Sequence, residues 1–232
     1  FDWPDAAGVL DKVREEIDPD RVFSMGFSMG GTGSWFLAGR HADLLAGAAP
    51  CAGVLMAAPK SQVATKEEVT TLQHGFVPNV RNLAMYWFIG LADRNCMPGT
   101  YLFAWDRILE LRKEDPKGYR KLQFTTYPDL PHTFPPGEPS ACLGWLAKQR
   151  RDPDPETIVW EQAEAPYPLP EDEVDRKVGR LPTLDCYWLH CDRPADRALV
   201  RATRKANEFD VSVTPWQVYG DARYQQLATI SV

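Results

Sequence analysis

Asp18-Pro19-Asp20-Arg21-Val22-Phe23-Ser24-Met25-Gly26-Phe27-Ser28-Met29-Gly30-Gly31 is the stretch from which the rest of this 232-residue chain can be read. Asp18-Pro19-Asp20 is a stop signal, and Arg21 to Met25 is a short apolar run rich in strand formers. Gly26 and Gly30 stand two residues to either side of Ser28 in a GxSxG pattern. After Gly33 a helical stretch runs through Trp35-Phe36-Leu37-Ala38. A serine between a strand and a helix sits on a sharp, strained turn, where flanking glycines keep Cβ atoms from colliding. Ser28 is therefore a candidate nucleophile, carried on the end of a strand.

Outward from this turn, the chain alternates. Asp5 to Ile17 puts Ala6, Val9, Leu10, Val13 and Ile17 on one face at helical spacing. Ala46 to Val54 is small and apolar, Ala84 to Ile89 reads as a buried strand, and Leu122 to Tyr127 as another. Helices are expected at Tyr101 to Lys113 and Ser140 to Lys148. Strands separated by helices predict an α/β fold, with a mostly parallel sheet covered on both faces. The texture changes after the charged, proline-containing stretch from Arg150 to Pro155. Beyond it, Thr157 to Glu161, Asp185 to His190, Leu199 to Arg204, Phe209 to Val213 and Leu227 to Val232 are short and strand-like, and Ala165 to Pro182 reads as irregular loop. The expected division is a catalytic core over residues 1–151 and a small β-rich appendage over residues 152–232.

Composition narrows the function. With 44% hydrophobic and 25% charged residues the chain is globular in character. Its 26 Lys and Arg against 32 Asp and Glu give a net charge of −6, without the basic surplus of a general nucleic-acid binder. No run approaches the roughly 18 apolar residues of a spanning helix, and mean hydropathy is −0.37. Neither nucleic acid nor membrane is an expected partner. The five cysteines are odd in number and include no CxxC pair, which argues against a disulfide framework or a zinc ribbon. Cys51 and Cys96 read as buried small apolar residues. Cys186 and Cys191 beside His190 lack a fourth ligand at suitable spacing, so no metal site is expected.

A serine hydroxyl needs a positioned base, itself oriented by a carboxylate. His41 falls at the end of the helix after the turn, where a capping role suits it. His74 lies in a polar insertion and His190 in the β-rich tail. His132, in Tyr127-Pro128-Asp129-Leu130-Pro131-His132-Thr133-Phe134, follows an apolar strand and rides a loop at that strand's C-terminal end. That edge is where ligands sit in open parallel sheets. Asp93 follows the Ala84 to Ile89 strand through Gly90-Leu91-Ala92 and meets the same condition. Asp106 and Glu110 fall on the exposed side of a helix, and Asp129 is too near His132 in sequence to orient it from behind. Ser28, Asp93 and His132 are the expected catalytic set.

The stretch from Asp18 to Gly31 resembles the elbow region of α/β-hydrolase-fold serine hydrolases. The resemblance is to bacterial esterases grouped with polyhydroxybutyrate depolymerases, feruloyl esterases and prolyl-oligopeptidase-like hydrolases. Gly90-Leu91-Ala92-Asp93 resembles their acid loop and Pro131-His132-Thr133-Phe134 their histidine loop, so the similarity runs from about residue 5 to 150. Trp145-Leu146 and Arg150-Arg151 resemble the end of their last core helix. The resemblance implies a Ser-His-Asp triad, an acyl-enzyme, no cofactor, and half of an oxyanion hole from the Met29 N–H. It also implies that the family's first strands, and the loop with the second oxyanion donor, would precede this chain. The expected fold is thus the C-terminal half of an α/β-hydrolase followed by the β-rich appendage.

Three functional readings follow. The first is hydrolysis of a small-molecule or polymer-linked ester. The second is a prolyl-oligopeptidase-like peptidase, since a triad does not distinguish ester from amide. The third is a carbohydrate-binding or interaction module, for which Trp160, Tyr187, Trp188, Trp216 and Tyr219 are candidate stacking residues, although their favoured reading is the core of a small β-domain. The insertion Met56 to Asn82 is either a cap over the active site or a surface excursion.

Overall fold

The computed structural model describes residues 17–54, 77–96, 98–163, 185–193, 197–206, 208–215 and 229–231. Strand β1 (Phe23–Phe27) leads through Ser28 into helix α1 (Met29–Arg40), which returns to β2 (Gly47–Cys51). A 3-10 turn at Val77–Asn82 feeds β3 (Ala84–Gly90), followed by α2 (Pro98–Glu114), β4 (Leu122–Tyr127) and α3 (Glu138–Leu146). The four strands form one parallel sheet in the order β1-β2-β3-β4. The expected parallel sheet with flanking helices is present, and its C-terminal edge carries the turns after β1, β3 and β4.

Strand β3 is buried along its whole length, as an uninterrupted apolar run in a sheet covered on both faces should be. Trp87 is the hub of the core. It stacks on Trp35 of α1 at 5.5 Å between centroids and meets Phe124 of β4 at 5.5 Å and Tyr101 of α2 at 6.2 Å. Full burial of each such side chain contributes about 1.5–3 kcal/mol. Strand β2 has a proline, which ordinarily costs a central strand a ladder bond. Here the β2–β3 pairing covers Gly47 and Ala48 and has lapsed by Pro50. The Pro50 carbonyl instead accepts the Tyr101 hydroxyl at 2.9 Å, and that hydroxyl oxygen accepts the Gly53 N–H at 2.6 Å. At the start of α3 the buried Glu138 carboxylate accepts the hydroxyls of Tyr86 (2.6 Å) and Tyr127 (2.8 Å), pinning the helix to β3 and β4.

The remaining strands among the described residues are β5 (Thr157–Ala163), β6 (Asp185–Cys186), β7 (Leu189–Arg193), β8 (Arg197–Lys205), β9 (Glu208–Pro215) and β10 (Thr229–Ser231). They form two antiparallel three-stranded sheets, β5-β8-β9 and β10-β7-β6. Ile158, Trp160, Cys186, Leu189, Cys191, Val200 and Ala202 are buried together between them. Among the described residues no helix is long and apolar enough to cross a membrane.

Several boundaries differ from expectation. The first strand is Phe23–Phe27 rather than Arg21 to Met25, because Pro19–Arg21 forms a 3-10 turn capped by the Asp18 carboxylate. Helix α1 begins at Met29, not after Gly33. Asp185 to His190 is two strands joined at Tyr187-Trp188, with Cys186 paired to Leu189. The expected helix at residues 5–17 falls almost entirely outside the described residues. So do the loop Ala165 to Pro182, His74, Trp216, Tyr219 and most of the insertion from Met56. Trp160 is core. Tyr187 donates its hydroxyl to the Ala42 carbonyl (3.3 Å) and Trp188 its indole N–H to the Pro155 carbonyl (2.9 Å).

The stretch at Arg150-Arg151 is anchored rather than free. Arg150 pairs with Asp18 (2.7 Å) and Asp20 (3.0 Å), and Arg151 with Asp20 (3.0 Å). The β-rich part is held through the 3-10 turn before β3. The Asn79 amide donates to the Gly39 carbonyl at 2.7 Å and the Glu161 carbonyl at 3.2 Å, and its oxygen accepts the Glu161 N–H. Arg81 donates to Asp115 through two nitrogens (2.7 and 3.2 Å) and to the Thr157 carbonyl (3.0 Å), and Arg201 of β8 reaches the same carboxylate at 3.0 Å. Burial pushes the Asp115 carboxyl up, but Arg81 and Arg201 outweigh it and hold the group below the ordinary carboxylate value.

A lowered pKa of this kind contributes stability above the unfolded carboxylate pKa of about 3.9 and loses it as pH falls through the folded value. Asp115→Ala leaves Arg81 buried without its anion, at a cost of about 3–5 kcal/mol. Urea midpoints should therefore separate widely at pH 7 and converge below about pH 4; a gap independent of pH would contradict this account.

Candidate active site

Ser28 stands at φ +57°, ψ −121°, outside the regions a non-glycine residue prefers. Its neighbours hold it there. The Ser28 N–H donates to the Cys51 carbonyl of β2 at 3.1 Å, and the Ser28 carbonyl accepts the Thr32 N–H of α1 at 3.0 Å. A sharp reversal brings the backbone of Gly30 against Gly26, so that a Cβ on Gly26 would overlap the Gly30 carbonyl. A Cβ on Gly30 meets nothing within 4 Å. The steric need for glycine that the sequence predicts on both sides of Ser28 holds at Gly26 and not at Gly30.

The structure brings the three expected residues into one hydrogen-bonded chain. His132 Nε2 lies 2.8 Å from Ser28 Oγ, and His132 Nδ1 lies 2.8 Å from Asp93 Oδ2. A carboxylate only accepts, so Nδ1 carries the ring proton and Nε2 faces the serine with its lone pair. Asp93 is held by its own loop, its Oδ1 accepting the N–H groups of Asn95 (2.8 Å) and Cys96 (2.9 Å). The imidazole rests on the Phe27 ring at 4.9 Å, and Phe27 packs on Phe134 at 4.4 Å. Asp93 is 5% exposed, while Ser28 and His132 are half-buried, so the chain runs from the interior to an accessible hydroxyl.

Met29 is the first residue of α1. Its N–H therefore belongs to the helix's first turn, which has no intrahelical acceptor. Sequence reasoning did not single out Phe27 or Asn95, and it read Cys96 only as a buried small apolar residue. The Asx-turn pattern Asp93-Arg94-Asn95-Cys96 was the available signal for the last two. Cys96 is buried as expected. Its thiol is pushed up to about 11 by burial and by the Asp93 charge, against a smaller opposite pull from Ser28. Cys51 is buried beneath the turn.

Two other histidines, His41 and His190, stand elsewhere. His41 caps the C-terminus of α1, its N–H donating to the Leu37 carbonyl, and His190 meets Asp185 at 2.7 Å in the β-rich part. The set Cys186, Cys191 and His190 does not converge. Among the described residues, the His/Cys/Asp/Glu grouping within metal-ligand reach is Asp93, Cys96 and His132.

No protein-family model and no curated protein matches the chain. Among solved structures it is similar to Arabidopsis thaliana SOBER1 (21% identity, TM-score 0.39, 62% of this chain and 60% of that one). It is also similar to a thermostable esterase (20%, 0.41, 64% and 36%). A third is the substrate-bound Staphylococcus aureus fluorophosphonate-binding serine hydrolase FphF (18%, 0.40, 63% and 63%). The chain spans between about a third and three fifths of the length of these proteins.

The glycine asymmetry is testable in isolation. Gly26→Ala should lower stability by about 1–3 kcal/mol, the usual penalty for overpacking. Gly30→Ala should be neutral or stabilising by up to about 1 kcal/mol, since alanine is the better helix former. Thermal melts of the two variants check this, and equal losses in both would refute it.

Proposed function

We propose that the chain is a serine hydrolase that cleaves a carboxylic ester through an acyl-enzyme, with Ser28 as nucleophile, His132 as general base and acid, and Asp93 as the orienting carboxylate. The observation that carries this reading is the unbroken Asp93–His132–Ser28 hydrogen-bond chain, both links 2.8 Å, ending on a serine in strained backbone. In this mechanism His132 Nε2 takes the hydroxyl proton as Ser28 Oγ attacks the ester carbonyl. The Met29 N–H, at the positive end of α1, donates to the oxyanion; a donor of this kind contributes about 10²- to 10³-fold in kcat. Collapse expels the alcohol, which receives the proton from His132. Water, deprotonated by the same nitrogen, then releases the acid and restores Ser28.

Residues 1–151 carry this chemistry in our assignment, with the β-rich part from 152 to 232 as an appendage. The ester reading is preferred to the peptidase one on the sequence resemblance, and turnover of an aryl ester against the matching anilide decides between them. A fluorophosphonate probe should label Ser28, and Ser28→Ala should abolish labelling and lower kcat by several powers of ten. Asp93→Asn removes the group that fixes the imidazole tautomer and should cost about 10⁴-fold. Near-wild-type turnover by Ser28→Ala would end this reading.

A further inference from the structure

The acid loop contains a group that the proposed hydrolysis leaves idle. Cys96 is three residues beyond Asp93, is 6% exposed, and is tied to that residue by its own N–H. Its Sγ, a ring nitrogen of His132 and a carboxylate oxygen of Asp93 all lie within 4.8 Å of one another. Two of these three donors are thus set by a single short turn. The third is positioned against that turn by the 2.8 Å hydrogen bond from His132 to Asp93.

Thiolate sulfur, imidazole nitrogen and carboxylate oxygen together form a borderline-soft donor set. Zn²⁺ takes all three, whereas Mg²⁺ and Ca²⁺ prefer oxygen alone. Tetrahedral bonds of about 2.3 Å to sulfur and 2.0–2.2 Å to nitrogen and oxygen place neighbouring donors roughly 3.3–3.7 Å apart. A grouping within 4.8 Å reaches that geometry by contracting about an ångström at its widest edge. Three protein ligands with a fourth position left to water is a coordination zinc commonly adopts.

We propose that Cys96, His132 and Asp93 form a binding site for Zn²⁺, and that occupancy inhibits the enzyme by taking the imidazole and carboxylate away from Ser28. On binding, the Cys96 sulfur, a His132 ring nitrogen and an Asp93 oxygen each give a lone pair to the ion; the thiol proton passes to solvent, the single imidazole proton resides on whichever ring nitrogen does not bind the ion, and no oxidation occurs. The inhibitory consequence rests on the hydrolase reading above. The binding itself does not.

The experiment separates the two. Zn²⁺ binding is measured by calorimetry on the full chain carrying Ser28→Ala, and Co²⁺ is added in parallel as a spectroscopic stand-in. One equivalent of Zn²⁺ should bind, and Co²⁺ should produce a thiolate-to-metal charge-transfer absorption in the near ultraviolet. Adding Cys96→Ala to the same chain should weaken Zn²⁺ at least tenfold and abolish the band. Cys96→Ser, which preserves the side-chain shape, serves the same purpose should the alanine variant fail to fold. Equal Zn²⁺ affinity with and without the Cys96 thiol, or no charge-transfer band, overturns the site. With Ser28 intact, Zn²⁺ should inhibit ester hydrolysis reversibly on addition of chelator, and Mg²⁺ should not. Binding that depends on Cys96 in a chain that neither turns over esters nor takes a fluorophosphonate label supports the site and defeats the hydrolase reading. Ester turnover indifferent to Zn²⁺ at concentrations that saturate the calorimetric site overturns the inhibition.

Discussion

Ser28 holds a backbone conformation that costs on the order of 1–3 kcal/mol, and it persists only because the residues around it leave no cheaper arrangement. Register pairing of Phe27 with Cys51 continues the β1–β2 ladder up to the turn. The Ser28 N–H extends it by one more bond, to the Cys51 carbonyl, while the Ser28 carbonyl opens α1 by accepting from Thr32. Strand and helix therefore meet at one residue with both of its backbone groups already committed. The side chain is left as the only free polar group there, and it is aimed at His132. Strand β2 makes this possible by being built of Gly, Ala, Ala, Pro and Cys, small enough for α1 to approach closely.

The histidine and the acid are fixed by different means. Asp93 is locked from within its own loop by two N–H donors, which consume one carboxylate oxygen and leave the other for the imidazole. His132 is located by packing, its ring lying on Phe27, the residue immediately before Ser28. Phe134, further along the same loop, closes over Phe27 and touches Phe88 of β3 at 5.5 Å. His132 and Ser28 thus share one aromatic support, and displacing Phe27 disturbs both. Preorganisation of this sort is what allows a polar site to act without rearranging during reaction.

The parts of this architecture legible in sequence are those with local signatures. The GxSxG turn lies between an apolar run and a helical run, β3 is an unbroken apolar stretch, and Asp93 and His132 each follow a strand by a few residues. The parts that were hidden depend on distant residues. Nothing near Arg150 announces that Asp18 and Asp20, some 130 residues earlier, will receive it. Nothing near Asn79 announces Glu161. Helix α1 starts earlier than its sequence predicts because Gly30, Gly31 and Gly33 are poor helix formers taken alone; the packing of that turn against β2 overrides their propensity. The hairpin at Tyr187-Trp188 has no local signature, since neither residue is a usual turn former. Tyr187 nevertheless adopts φ +56°, and its hydroxyl reaches the Ala42 carbonyl.

The anchors of the β-rich part share one end of the parallel sheet. Asn79, Arg81 and Asn82, which hold Thr157 and Glu161, precede β3, whereas Asp93 follows it. Ala42, which accepts from Tyr187, lies between the C-terminus of α1 and the start of β2, the end of that helix remote from Ser28. Arg151 joins Asp20, before β1, to the Asp43 carbonyl, before β2. Every one of these contacts lies at the N-terminal edge of the strands, and the Ser28–His132–Asp93 chain lies at the C-terminal edge. Seven residues of β3 at about 3.3 Å each put roughly 20 Å between them. At that distance β5 supplies no side chain to Ser28, and charges such as Arg201 lie beyond a Debye length of about 8 Å at physiological salt. The described contacts of the β-rich part therefore bear on the stability of the sheet's far end, through Asp115 and Arg81, and leave the geometry at Ser28 to the turn, the acid loop and the aromatic support.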